Sequence, residues 1–320
     1  YFRVKLFNPS EMKVHYGVEG INIKNPVVTI GSFDGVHLGH ACVIQHLKEK
    51  AANIGGESAI ISFEPHPREV LYPMEKKPGI LTTLEEKIVI LEQYGVDHLI
   101  ILKFTVEFSQ QPYQDFVKNI LVDRIHIKGL VVGYDHRFGK NRAGNFESLQ
   151  ELSQKYGFFL EREVVFEEND VNVSSTKIRN ALAVGDVNTV NRFLGYPYSI
   201  TGQVVDGRKL GREIGFPTAN VQISDERKLL PAIGVYAVEV LIGDQIFHGM
   251  LNIGIRPTVS KEGIVSCEVH IFDFNQNIYN QTISIKLIAR LRGERKFEDI
   301  RELREQLEKD KAEVIKLFQR

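Results

Sequence analysis

Between Pro26 and about Leu160, short apolar runs alternate with stretches whose hydrophobic residues recur every three or four positions. "PVVTI", "SAIISF", "VDHLIIL" and "GLVVGYD" read as short buried strands. "HACVIQHLKEKAANIG" reads as a helix burying Val43, Ile44 and Leu47 and stopping at Gly55-Gly56. "LTTLEEKIVILEQYG" is a second helix, whose threonine precedes Glu85 and Glu86 in the manner of a capping box. Further helices are predicted over "YQDFVKNILVDR" and "FESLQELSQKYG". Strands alternating with helices predict an α/β unit with a doubly wound parallel sheet. Ligands of such sheets bind beyond the carboxyl ends of the strands, where the glycine turns lie.

The texture changes after Tyr196. "YSITGQVVDG", "GVYAVEVLI", "QIFHGMLNIG", "SCEVHIFDF" and "QTISIKLIARL" carry period-two features between turns, which predicts an antiparallel barrel or sandwich. A last helix is expected over "FEDIRELREQLEKDKAEVIKLFQ", with Phe297, Ile300, Leu303 and Leu307 as its packing face. "STKIRNALAVGDVNTVNRFLG" forms a helical bridge broken near Gly185. The division is therefore placed at 1–195, bridge included, and 196–320.

Composition narrows the classes. The 320 residues are 43% hydrophobic and 25% charged, enough for two domains with their own cores. A net charge of −1 provides no general attraction for nucleic acid or acidic membranes, so any anion must be bound locally. No apolar run is long enough to span a bilayer, and no signal-peptide pattern opens the chain. Cys42 and Cys267 are far apart and lack metal-type spacing, which fits a reducing cytoplasm. Met12 is a candidate start, which would make the preceding residues an extension.

The chemistry begins at "GSFDGVHLGH", which directly follows a predicted strand. Strand, glycines and helix start together aim backbone N–H groups at an anion. Gly31 and Gly35 permit a tight turn, Phe33 and Asp34 lie within it, and Gly39 keeps the helix entrance open. His37 and His40, one turn apart, can both reach one phosphate and stabilise charge that grows during transfer. Metal ligation and simple solvation are the alternatives. "GYDHRFGKN" is a decoy for a Walker loop: five residues separate its glycines and Asn141 follows the lysine. In "SSTKIR", Ser174, Ser175 and Thr176 supply hydroxyls at a helix start and Arg179 falls one turn on; a plain N-cap with a surface arginine is the other reading.

In this order, "GSFDGVHLGH", "FEPHPREVL", "VGYDHRFGKNRAGN" and "VSSTKIR" resemble the adenylyltransferase module of bacterial FAD synthetases, which are H-x-G-H nucleotidyltransferases. The resemblance implies ATP over His37, His40 and Arg179, with FMN in a neighbouring crevice and Asp135 near the flavin. Where His136 stands, the family often has an aromatic.

A second set lies in "GRKLGREIGFPTANV". Gly207, Gly211 and Gly215 free the backbone to wrap a phosphate, Arg208 and Arg212 add charge, and Thr218 and Asn220 offer neutral oxygens suited to Mg²⁺. An ordinary basic hairpin is the alternative. In "IVSCEVHIF", strand alternation puts Val265, Cys267, Val269 and Ile271 on one face and Glu268 and His270 on the other. Glu268 is then either a surface carboxylate or a general base.

"GRKLGREIGFPTAN", "GVYAV", "NIGIRPT", "CEVHIFDF" and "RGERKF" resemble riboflavin kinase in order and type, over nearly all of the chain after Tyr196. This implies a β-barrel with a terminal helix, Mg·ATP at Thr218 and Asn220, and Glu268 activating the ribityl hydroxyl, with Arg292 and Arg295 at flavin or nucleotide phosphates. The two resemblances together imply a two-step enzyme making FMN and then FAD from riboflavin and ATP. Two rivals are a nucleotidyltransferase with a different acceptor and a flavin-binding sensor without turnover. A class I aminoacyl-tRNA synthetase fragment would bring a K-M-S-K-S-type loop, which is not evident.

Overall fold

The computed structural model describes residues 11–72, 79–134, 138–140, 143–163, 167–168, 171–207, 211, 214–256 and 264–319. It divides the chain into two compact units, Tyr1–Ser175 and Thr176–Arg320.

Six strands carry the first unit: β1 (Lys13–Tyr16), β2 (Val27–Ile30), β3 (Ser58–Glu64), β4 (His98–Lys103), β5 (Gly129–Val132) and β6 (Phe159–Arg162). Their order is β1-β4-β3-β2-β5-β6, and every neighbouring pair is parallel. The helices are α1 (Leu38–Asn53), α2 (Pro67–Leu71), α3 (Leu84–Gln93), α4 (Val106–Ser109), α5 (Tyr113–Phe116), which continues as a π-helical segment over Val117–Val122, and α6 (Phe146–Tyr156). A short ladder of β7 (Glu167–Glu168) and β8 (Val171–Asn172) follows. The edge strand β1, "KVHY", is half polar and four residues long, so no pattern marks it in the sequence.

Both sheet faces are covered. Val27, Ile60, Leu99 and Val131 pack against Val43, Ile44 and Leu47 of α1 and Leu91 of α3. Val28, Ile61, Ile100 and Leu130 pack against Phe116, Leu121, Leu149 and Leu152. Each fully buried side chain of this size contributes about 1.5–3 kcal/mol. Packing, more than propensity, therefore holds strands as short as β2 and β5. The chain leaves β2 for β3 and β4 on one side, then returns to β5 on the other. That reversal opens a crevice at the carboxyl ends of β2 and β5, where Gly31–His40 begins. The expected capping box is present: Thr83 Oγ1 accepts from the Glu86 N–H at 3.2 Å, and Glu86 Oε2 accepts from the Thr83 N–H at 3.1 Å.

α7 (Ser175–Val184) enters the second unit and is followed by α8 (Val187–Leu194), the two separated by Gly185 at φ +76°. β9 (Ser199–Val205), β10 (Ala219–Ile223), β11 (Gly234–Ile242), β12 (Gln245–Arg256), β13 (Ile264–Ile271) and β14 (Thr282–Arg292) close a barrel in the order β10-β13-β12-β11-β14-β9. Every pair is antiparallel. The strand that shuts the barrel is β10, which the pattern missed because it sits inside the glycine-rich motif. The bridging helices are fastened to the barrel. Arg290 donates to Val184 O at 3.0 Å, and Asn191 donates to Leu287 O at 2.8 Å.

The terminal helix, α9 (Ile300–Phe318), packs Leu307, Val314, Leu317 and Phe318 against Phe216, Val235, Met250 and Phe272. Its face differs from the expected one: Phe297 precedes the helix and Ile300 is exposed. Asp299 sets the start by accepting from the N–H groups of Arg301 and Glu302 at 2.8 and 2.9 Å.

Candidate active sites

In the first unit, the turn after β2 departs from ordinary backbone. Phe33 and Val36 take φ of +47° and +32°, and Gly35 takes +84°. Positive φ at a β-branched valine is costly and persists only when its surroundings fix it. Asp34 does much of that fixing. Its buried Oδ1 accepts from the N–H groups of Leu81 and Thr82 at 2.8 and 3.1 Å, and Gly35 N–H donates to Thr82 Oγ1 at 3.1 Å.

The turn delivers His37 as N-cap of α1, with Nδ1 accepting from the His40 N–H at 3.3 Å. An accepting Nδ1 puts the proton on Nε2, which makes that nitrogen the donor of the ring. The two imidazoles stack at 3.7 Å and 16°. A Cβ on Gly39 would lie 3.2 Å from the His37 ring, so the glycine makes room for the stack. His40 Nδ1 is buried without a hydrogen-bond partner among the described residues. Burial first, then the neighbouring His37 and Lys87, push the His40 pKa well below the usual imidazole range. Gly31 N–H donates to Ile61 O at 3.0 Å and ties the turn back to β3.

"SSTKIR" begins at the same turn. Ser175 Oγ donates to Asp34 O at 2.9 Å, and Val173 O lies 3.7 Å from where a Gly39 Cβ would be. Ser174 is half-buried beside it, whereas Thr176 and Arg179 fall in the second unit. Sequence reasoning missed Lys87 and Thr82. Lys87 is a lysine on the same helical stripe as Leu84 and Leu91, and that misplacement of charge was the available signal.

In the second unit, register assembles the other site. Asn220 of β10 pairs with Glu268 of β13, which pairs in turn with Asn252 of β12. Directly paired residues share a face, so Glu268 stands between two asparagines on the outer face of the barrel. The row continues to Val235, part of the cluster under α9. Thr218 Oγ1 lies 3.4 Å from Glu268 Oε2. Asn220 is 8% exposed, and a Cβ on Gly207 would lie 1.8 Å from its Nδ2, so only glycine fits beneath that amide. Gly211 O accepts from the Phe216 N–H at 2.8 Å, and Gly215 takes φ +84°. His270 shares the outer face with Glu268, as expected, and is covered there by Phe216 and Phe272, with Nδ1 2.7 Å from Pro217 O. Burial lowers its pKa, and burial pushes the Cys267 thiol up to about 11, which marks Cys267 as a packing residue.

Arg292 and Arg295 are both ion-paired. Arg292 grips Asp310 of α9 with Nη2 2.7 Å from Oδ2, and Arg295 pairs with Glu302. Asp135, Arg208 and Arg212 lie outside the described residues. Asn252 is the member of the barrel site that the sequence did not reveal; only strand register brings it to Glu268.

Comparison with known proteins bears on both sites. A family model described as FAD synthetase matches residues 21–177, and one described as riboflavin kinase matches 194–318. A Haemophilus influenzae protein named bifunctional riboflavin kinase/FMN adenylyltransferase is 42% identical over 96% of this chain and 99% of its own length. A Bacillus subtilis protein of the same name is 39% identical over 91% and 92%. The crystal structure of a macrolide-efflux protein from Streptococcus pneumoniae matches with TM-score 0.86 and 30% identity, over 95% of this chain and 98% of that one. Among the described residues no helix is long and apolar enough to cross a membrane. The two family models in tandem and the relatives matched over almost their whole length show that this chain belongs to the bifunctional riboflavin kinase/FMN adenylyltransferase family.

Proposed function

We propose that the family's two ATP-dependent steps run at separate sites, one in each unit: phosphorylation of riboflavin to FMN on the barrel, adenylylation of FMN to FAD at the β2 turn. The observation that carries this is Glu268 flanked by Asn220 and Asn252, far in sequence from the stacked His37–His40 pair and in a different compact unit. By contacts, residues 176–195 group with the barrel. Thr176 and Arg179 therefore lie in the second unit, and the assignment of adenylyl transfer rests on residues up to Ser175.

On the barrel, Glu268 takes the proton of the ribityl 5′-hydroxyl as that oxygen bonds to the γ-phosphorus of ATP and ADP leaves. Gly207, Arg208, Gly211, Arg212 and Gly215 wrap the phosphates. A hydroxyl, an amide oxygen and a carboxylate are hard donors that suit Mg²⁺, and we assign Thr218 and Asn220 to it. The ion would neutralise phosphate charge. Arg292 and Arg295 act on the flavin indirectly, holding α9 through Asp310 and Glu302.

At the turn no base is needed, because the FMN phosphate is already an anion. Its oxygen bonds to the α-phosphorus, the α–β bridge breaks, and pyrophosphate leaves. The His37 and His40 rings, the backbone around Gly31–Gly39 and the hydroxyls of Ser174 and Ser175 bind the oxygens that gain charge. Asp135 is assigned to the flavin. The two free thiols suit a reducing, cytoplasmic setting.

Incubation with riboflavin, ATP and Mg²⁺, followed by chromatographic separation of flavins, should yield FMN and then FAD. Chelation of Mg²⁺ should stop both steps, and absence of both products would refute the reading.

A further inference from the structure

Lys87 is 4% exposed, an unusual place for an ammonium. Its Nζ donates to Ser32 O at 2.8 Å and to Ser62 Oγ at 3.1 Å, and Ser62 Oγ itself donates to Ser32 O at 3.2 Å. Ser32 lies between Gly31 and the strained Phe33, so this triangle fixes the carbonyl on which the turn pivots. The beginning of α3 is thus joined to the turn twice: by Lys87, and by the hydrogen bonds of Asp34 and Gly35 to Leu81 and Thr82. A leucine or methionine would fill the same space without the cost of burying a charge. The charge must act on something nearby.

We propose that Lys87 is a positioning residue for adenylyl transfer, its buried ammonium propping the Gly31–His40 turn and setting the charge balance of the imidazole pair that receives the triphosphate. This rests on the assignment of adenylyl transfer to that turn. The groups whose charge bears on His40 are His37, stacked on it from the α1 cap, and Lys87 from α3; the Phe33 ring packs beside it at 4.8 Å. Burial and His37 hold His40 neutral near neutral pH, and the Lys87 charge adds to them, so that the ring can serve as a hydrogen-bonding wall that attracts no stray proton before nucleotide arrives. Without that charge the His40 pKa rises, and the free site carries an extra proton at mildly acidic pH.

Lys87→Met keeps the alkyl stem and discards the charge. In full-length protein, kcat for FMN adenylylation should fall roughly tenfold or more, with a smaller change in KM for ATP. Its acid limb should move to higher pH, and the His40 ring signals in NMR should titrate at higher pH than in wild type. Lys87→Arg should retain the wild-type titration, and riboflavin phosphorylation should be unchanged in both variants. An unchanged kcat or an unmoved His40 titration in K87M overturns the proposal. Should K87M fail to fold, the wild-type titration decides: His40 titrating at the ordinary value of about 6.5 also overturns it. If wild-type protein makes no FAD from FMN, the assignment of adenylyl transfer fails on its own, separately from the His40 titration.

Discussion

At the scale of single residues, each candidate site is packed against a glycine. Asn220 can lie over residue 207 only because Gly207 has no Cβ, which would come within 1.8 Å of its Nδ2. Gly207→Ala should therefore displace Asn220 from the row with Glu268 and reduce riboflavin phosphorylation by at least about tenfold, with FMN adenylylation intact. Parallel assays of the two steps check this. Gly39→Ala should do the converse, since its methyl would press on the His37 ring. His37, His40 and Glu268 could be singled out in the sequence because each candidate motif lies within a few neighbouring positions. The bracing role of Asp34, the tautomer of His37 and the presence of Asn252 and Lys87 could not. Those depend on partners 47 or more positions away in the case of Asp34, or on strand register in the case of Asn252.

Secondary elements explain what the pattern recovered and what it lost. Long buried strands and amphipathic helices with strong caps emerged with nearly their final bounds, because one face of each is fixed by hydrophobic periodicity. β1 and β10 did not, because each is held by neighbouring strands rather than by its own composition. The terminal helix depends on a polar contact that no apolar pattern shows. Asp310 is 3% exposed, accepts from Arg292 Nε and Nη2, and also accepts from Gln306 Nε2 at 2.8 Å. Removing one partner of a buried pair strands the other charge, at a cost of about 3–5 kcal/mol. Asp310→Ala should lower the unfolding midpoint of the barrel unit accordingly in urea titrations.

The edge strand β1 supplies an acid sensitivity. His15 Nε2 lies 2.9 Å from His98 Nδ1, and His98, 1% exposed, lies 3.4 Å from Glu57. Burial is the first cause lowering the pKa of each histidine below its unfolded value of about 6.5. The unfolded chain then binds more protons between the folded and unfolded values. The stability these histidines confer is complete above about pH 6.5 and is lost as pH falls through the folded values. Urea midpoints should drop from pH 7.5 to pH 5, and His98→Gln should narrow that gap; an equal gap in the variant would contradict this origin.

Across the whole molecule, a net charge near zero offers no general attraction for anions, so the two sites proposed above would have to hold phosphate by local contacts. Order of motifs along the chain sufficed to read the pair of activities, because each motif set is contiguous. Which side chains brace those motifs required the folded register. The most direct measurement is flavin product analysis on Glu268→Gln and on the double variant His37→Ala, His40→Ala. Each would be given riboflavin or FMN together with ATP and Mg²⁺. With separate sites, the first variant forms FAD from FMN but little FMN from riboflavin, losing roughly 10²–10⁴-fold in that step, while the second converts riboflavin to FMN and stops there. Loss of both steps in either variant, with the protein still folded, would contradict two independent sites.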